Sequence, residues 1–68
     1  MRNRVRELRE QRGWNISEFA DKVGVSRPSI YDIETGKFEP HLNTAFKIAD
    51  AFGLPIEDVF LLRKKSTK

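Results

Sequence analysis

Cysteine is absent from these 68 residues, and methionine, tryptophan, tyrosine and histidine each occur once. Without cysteine there is no disulfide and no thiolate metal site to reinforce a small core. One histidine, His41, leaves a metal role without partners of the usual kind, so no metal and no cofactor are expected. No apolar run approaches the roughly 18 residues that suggest a membrane span. The basic start, Met1-Arg2-Asn3-Arg4-Val5-Arg6, leads into no apolar stretch, so no secretory signal is expected. These absences place the chain in the cytoplasm, off the membrane. Gly-rich phosphate loops after a strand and nucleophile–base patterns are also missing, which argues against an enzyme. A chain this short makes one domain. Its core supplies only about 3–5 kcal/mol, so close helix packing or self-association must add to it.

Charge is present in both signs, with 13 Lys and Arg against 10 Asp and Glu. Its layout is uneven. Residues 1–12 hold five arginines against Glu7 and Glu10, and residues 63–68 hold Arg63, Lys64, Lys65 and Lys68 with no acid. Between them, four basic side chains face eight acidic ones. Basic ends suit a polyanionic partner, with Arg2, Arg4 and Arg6 placed to flank it. An acidic middle means that the whole surface cannot serve as one such face.

The apolar spacing predicts an all-α fold of five short helices. Val5 and Leu8 begin a stripe that Arg9 and Arg12 continue up to Gly13. Asn15-Ile16-Ser17-Glu18 carries a capping box, in which Asn15 caps a backbone N–H and Glu18 reaches back. Trp14 before the cap and Phe19 after it fit a hydrophobic staple. Ile16, Phe19, Ala20 and Val23 then keep helical spacing, and Gly24 is a left-handed stop. Ser26 caps a third helix. Pro28 fits its first turn but biases Arg27 away from helical angles, so a start one residue late is expected. Ile30 and Ile33 mark its inward face. Leu42, Ala45, Phe46, Ala49 and Phe52 define a fourth helix, which His41 is placed to cap. Pro55 opens a fifth helix with Ile56, Val59 and Phe60 inward. A short terminal strand near residues 60–63 is a further expectation. The domain is drawn as 1–62, with a basic tail at 63–68.

Two short helices joined by a tight glycine turn make a helix-turn-helix, and Asn15 to Lys37 has that form. The run Glu18-Phe19-Ala20-Asp21-Lys22-Val23-Gly24-Val25-Ser26-Arg27, then Ile30, then Ile33-Glu34-Thr35-Gly36-Lys37 and Pro40, resembles the Cro/repressor (XRE) family. Phe46 to Leu54, Ile56 to Phe60 and Leu8 to Gly13 are similar to other segments of that family, so the likeness spans residues 5–60. It implies a lambda-repressor-like helix-turn-helix domain and a transcriptional regulator, acting as a repressor. It implies double-stranded DNA as the partner and places a recognition helix at about 26–35.

The first two positions and the sixth of that helix read bases in the family, which implies Arg27, Pro28 and Asp32. Taking about 100° per residue, these and Tyr31 point away from the buried direction of Ile30 and Ile33. Arg27 can pair with guanine O6 and N7 together, Asp32 can accept from cytosine N4, and Tyr31 can meet a thymine methyl or a phosphate. The resemblance sets Asn15, Ser17, Ser26, Ser29, Thr35 and Lys37 toward phosphates, where helix N-termini favour anions. It also implies a structural ion pair between Arg9 and Glu34. Glu34 lies only about 70° from the buried direction, which agrees.

Three positions depart from the family. Ile16 stands where a polar phosphate contact is usual, Pro28 replaces a polar base reader, and Thr35 replaces a common asparagine. They predict an unusual operator preference. One recognition helix reads few base pairs, so a homodimer on a palindromic operator is expected, with half-sites roughly 34 Å apart. Phe60, Leu61 and Leu62 are the expected dimer surface, because three consecutive apolar side chains cannot all face one core. No small-molecule ligand is evident. The alternative is a protein-binding helix-turn-helix module, antitoxin-like or an antagonist of a regulator, which Ile16, Pro28 and the acidic middle favour.

Overall fold

The structure, a computed structural model, describes residues 3–60. Five helices follow one another: α1 (Val5–Gln11), α2 (Ile16–Val23), α3 (Arg27–Glu34), α4 (Leu42–Phe52) and α5 (Ile56–Val59). Among the described residues there is no sheet, only a single antiparallel bridge between Asn3 and Phe60. Phe60 is extended, and the rest of the expected terminal strand, with Leu61, Leu62 and the basic tail, lies outside the described residues.

Local chemistry sets where α2 and α3 begin and how they turn. The Glu18 amide donates to Asn15 Oδ1 at 2.8 Å and the Asn15 amide to Glu18 Oε1 at 2.9 Å, so both halves of the capping box are made. Gly24 closes α2 in the left-handed region at φ +86°. A Cβ built there would meet no atom within 4 Å. Replacing Gly24 therefore carries the conformational cost alone, roughly 1–2 kcal/mol. Ser26 then caps α3, accepting from the Ser29 amide at 3.3 Å. The late start expected before Pro28 does not occur, because Arg27 is already the first helical residue. Proline at the second position gives up an N–H that has no helical acceptor anyway.

Packing joins α2 to α3 and to α4, α1 to α3 and to α4, and α4 to α5. Val5, Phe19, Ile30, Ile33, Ile48 and Val59 are almost wholly enclosed. Trp14 closes one side of this core. Its ring stacks on Phe19 at 5.9 Å and on Phe52 at 6.0 Å, while Phe19 and Phe52 lie 4.9 Å apart. The staple expected within α2 is thus extended by a ring from α4, and stacked aromatic pairs add about 0.5–1.5 kcal/mol each beyond area burial. Arg12 covers the Phe52 face at 5.0 Å and donates to the Phe52 carbonyl at 2.9 Å. It satisfies the C-terminal end of α4, where cations and donors are favoured.

Two expectations are corrected here. The inward face of α4 is Ala45, Ile48, Ala49 and Phe52. The small alanines let the helix approach closely with Ile48 turned in, which leaves Leu42 and Phe46 at 67% and 49% exposure. His41 stands at the start of α4 as expected, capping through its carbonyl, which accepts from the Ala45 amide at 2.9 Å, and not through its side chain. Phe60 is 2% exposed. Its side chain is already enclosed by the chain's own core, so it cannot offer the dimer surface expected of it. Arg4 bonds Glu7 and the Asp58 carbonyl, and Arg6 bonds Glu10. Both ion pairs lie at the surface, with the Arg6 side chain 72% exposed.

Candidate nucleic-acid interface

The same geometry that buries Ile30 and Ile33 turns the opposite side of α3 outward. Arg27, Pro28 and Tyr31 are exposed, Tyr31 at 57%. The tight turn at Gly24 sets the start of α3 beside the start of α2. An open cleft of about 600 Å³ lies there, lined by Arg9, Asn15, Ile16, Ser17, Arg27, Pro28 and Tyr31. A second depression, lined by Arg6, Arg9, Ile16, Tyr31, Glu34 and Thr35, adjoins it. Arg9, Ile16 and Tyr31 line both.

Arg27 donates from Nη1 to Ser17 Oγ at 3.4 Å, so a side chain of α3 reaches across to the first turn of α2. That bond is long and exposed, and it orients the guanidinium without using up its other donors. The helix starts contribute backbone N–H groups, and their partial positive charge favours anions. An α-helix fits the major groove of B-DNA, about 12 Å wide. At 1.5 Å per residue, α3 is itself about 12 Å long. Its outer face is therefore matched to a few base pairs.

Behind this face stands the Arg9–Glu34 pair. Arg9 donates from Nε to Glu34 Oε2 at 2.7 Å and from Nη2 to Oε1 at 3.2 Å. Its third donor, Nη1, reaches the Trp14 carbonyl at 2.9 Å. The two side chains are 10% and 4% exposed. The hydrogen bond to Glu34 holds the Arg9 guanidinium above its ordinary value, against the opposing effect of burial. This fork ties α1, the chain before α2, and the end of α3 together, and fixes the tilt at which α3 presents its outer face. Asn3 adds a second tie, donating from Nδ2 to the Ile33 carbonyl at 2.9 Å while its Oδ1 accepts from the Val5 amide at 3.0 Å. Nothing in the helical pattern marks Asn3, since its partners are both backbone groups.

The structure divides the other expected contact residues. Asn15, Ser17, Arg27, Pro28 and Tyr31 are brought together in one cleft. Asp32 is only half exposed and does not line it. Ser26 and Ser29 bond each other through their hydroxyls at 2.9 Å, so both serve the start of α3. Thr35 donates from its hydroxyl to the Asp32 carbonyl at 3.2 Å. Lys37 is exposed in the loop after α3. Ile16, on the apolar stripe of α2 and half-buried against the core, also stands at the start of that helix as a wall of the cleft.

Comparison with known proteins decides what kind of unit this is. A helix-turn-helix family model matches residues 5–59. This chain belongs to the helix-turn-helix family of transcriptional regulators. An uncharacterized HTH-type transcriptional regulator of Archaeoglobus fulgidus is 48% identical over 61 residues, covering 90% of this chain and 87% of that one. YgzD of Bacillus subtilis, an uncharacterized HTH-type transcriptional regulator, is 39% identical over 66 residues, 97% of this chain and all of that one. A third, from Methanothermobacter thermautotrophicus, is 41% identical over the full length of both. Among solved structures, the N-terminal DNA-binding domain of SinR from Bacillus subtilis superposes with a TM-score of 0.77. It covers 93% of this chain and 91% of that one, at 23% identity, which speaks to the fold. The chain thus stands among helix-turn-helix transcriptional regulators rather than among enzymes. No helix among the described residues is long and apolar enough to cross a membrane.

Proposed function

We propose that this regulator binds a palindromic operator as a homodimer, with α3 in the major groove, and represses by occupying the site. The observation that carries the reading is the outer face of α3. An exposed guanidinium at Arg27, oriented by Ser17, stands beside the starts of two helices on a single cleft. Arg27 reads guanine through O6 and N7, and Asn15, Ser17 and Lys37 hold the phosphates on either side. Ser26, Ser29 and Thr35 assist mainly by keeping the ends of α3 in place, and Asp32 excludes sequences that would bring a phosphate or an acceptor against it.

Pairing draws on apolar side chains that one copy leaves uncovered. Leu42 and Phe46 stand one turn apart on α4, both exposed, and Leu61 and Leu62 follow the buried Phe60. Exposed apolar groups of this kind mark interaction surfaces. A pair of α3 helices one turn of DNA apart would double the length of sequence read.

Selection of bound sequences from random duplex DNA tests this reading. The expected result is one palindrome whose affinity falls with salt, by about 0.9 in log K per log unit for each phosphate contacted. No enriched sequence and a flat salt response would overturn it in favour of a protein partner for the same cleft.

A further inference from the structure

We infer that the cleft between α2 and α3 is a methyl reader: its apolar walls take the C5-methyl group of thymine next to the guanine that Arg27 contacts. The inference rests on the DNA-binding reading above and adds what the site selects. Ile16, Pro28 and Tyr31 line the cleft together with Arg27. Neither Ile16 nor Pro28 has a side-chain donor or acceptor, and Pro28 lacks even a backbone N–H. A base edge set against these two side chains finds no hydrogen-bond partner in them and loses water contacts without return, while the polar lining, Asn15, Ser17 and Arg27, belongs to the rest of the cleft. Tyr31 presents its ring beside them at 57% exposure.

Among the four bases, only thymine offers an apolar group in the major groove, its C5-methyl. A methyl seated against an isoleucine, a proline and an aromatic ring gains burial, whereas the N4 amino group of cytosine or the N6 amino group of adenine in the same place would be stripped of water. Charge sorts the remainder of the cleft. Arg27 is fixed at one edge by Ser17, 3.4 Å away, and the N–H groups of the helix starts lie at the rim. The cleft therefore combines a cationic edge that suits guanine and phosphate with an apolar wall that suits thymine. Cytosine carrying a 5-methyl group presents the same apolar surface at the same ring position.

The test uses the full chain and the operator obtained by selection. Each thymine of a half-site is replaced in turn by deoxyuracil, which keeps every base-pairing atom and loses only the methyl. One thymine adjacent to the Arg27 guanine is expected to weaken binding about three- to fivefold per half-site, the value of one buried methyl. 5-Methylcytosine placed at that position in a variant operator is expected to restore affinity relative to plain cytosine. In Tyr31→Ala, whose exposed side chain leaves folding intact by thermal melt, the thymine-to-deoxyuracil effect is expected to shrink below twofold. Three results overturn the inference. An operator indifferent to deoxyuracil at every position removes the methyl contact while leaving DNA reading in place. A methyl effect of unchanged size in Tyr31→Ala assigns it to another surface. Failure to select any operator sinks the DNA reading itself, and this inference with it.

Discussion

The two faces of α3 obey different rules. Its inner face carries Ile30 and Ile33, both enclosed, with Glu34 gripped by Arg9 at 2.7 Å. Its outer face carries Arg27, Pro28 and Tyr31, of which only Arg27 makes a side-chain bond, a long one to Ser17. On the inner side the charged group, Glu34, is paired within the chain, while the outer side holds spare guanidinium donors and uncovered apolar surface. A fold this small has little stability to spare, so side chains left idle on one face point to an outside partner. The contrast also separates two kinds of mutant. Inner-face changes lower binding by unfolding the domain, and outer-face changes lower binding alone.

The largest effect belongs to the inner face. Arg9→Ala leaves the Glu34 carboxylate buried at 4% exposure without its cation and frees the Trp14 carbonyl as well. Breaking one side of a buried pair costs about 3–5 kcal/mol, which is most of what a core of this size supplies. Chemical denaturation of Arg9→Ala should show a domain largely unfolded at 37 °C, with DNA binding lost as a consequence. The pH dependence has a definite sign. Because folding raises the Arg9 pKa, the cation's contribution is fully present below its unfolded value and declines only as pH climbs through the strongly alkaline range. Between pH 6 and 10, then, titration of Arg9 should not move the unfolding midpoint. The difference in unfolding free energy between the parent and Arg9→Ala should therefore stay constant across that window, and a difference that shrinks toward pH 10 would show that the grip on Glu34 is not what holds α3.

A smaller effect, with the opposite signature, is expected at Arg27. A bidentate guanidinium–guanine contact is worth about 1–3 kcal/mol, so Arg27→Ala should weaken binding roughly 5- to 150-fold and relax preference at one base pair. Its thermal midpoint should stay near that of the parent, because only the 3.4 Å bond to Ser17 is lost. Arg27→Lys keeps the charge but not the planar fork. It should retain phosphate-driven affinity and lose most of the base preference. Comparable destabilisation in both the Arg9 and the Arg27 variants would erase the distinction between the two faces.

How much of this was legible in the sequence follows the same division. The capping box at Asn15, the stop at Gly24 and the inward Ile30 and Ile33 are local signals, set by residues three or four apart, and the structure forms them as the spacing predicts. The family resemblance extended that to Arg9 and Glu34, which spacing alone could only call compatible. What the pattern missed depends on distant partners. Ile48 rather than Phe46 faces inward because small alanines let α4 come close to its neighbours. Asn3 and Arg12 act through backbone carbonyls of Ile33 and Phe52, 30 and 40 residues away, and a carbonyl leaves no mark in a sequence. Phe60 is read both as inward on α5 and as dimer surface beside Leu61 and Leu62, and the core, with its bridge to Asn3, takes it inward. On the outer face, single residues such as Arg27 could be named, but the meeting of Ile16 with Pro28 and Tyr31 in one cleft is a fact of the turn geometry.

The smallest effect on folding should come from α4, and it sharpens the comparison by adding a third kind of surface. Leu42 and Phe46 are exposed, apolar and one turn apart. They are as idle in one copy as the outer face of α3, but they carry no charge to suit DNA. Replacing both with serine should change stability by no more than about 0.5 kcal/mol per site, as for surface positions without buried partners. If these side chains pair two copies, sedimentation of the double variant should show a shift toward monomer at concentrations where the parent is dimeric. Binding to the full palindrome should then fall toward that of a single half-site, with the base preference within each half-site unchanged. An unaltered dimer would move the pairing to Leu61 and Leu62, where a charge at Leu61 makes the equivalent test. In either case the loss should appear in cooperativity between half-sites. That signature separates a pairing surface from a reading surface, since Arg27→Ala is expected to alter the preferred base and to leave the spacing of the half-sites alone.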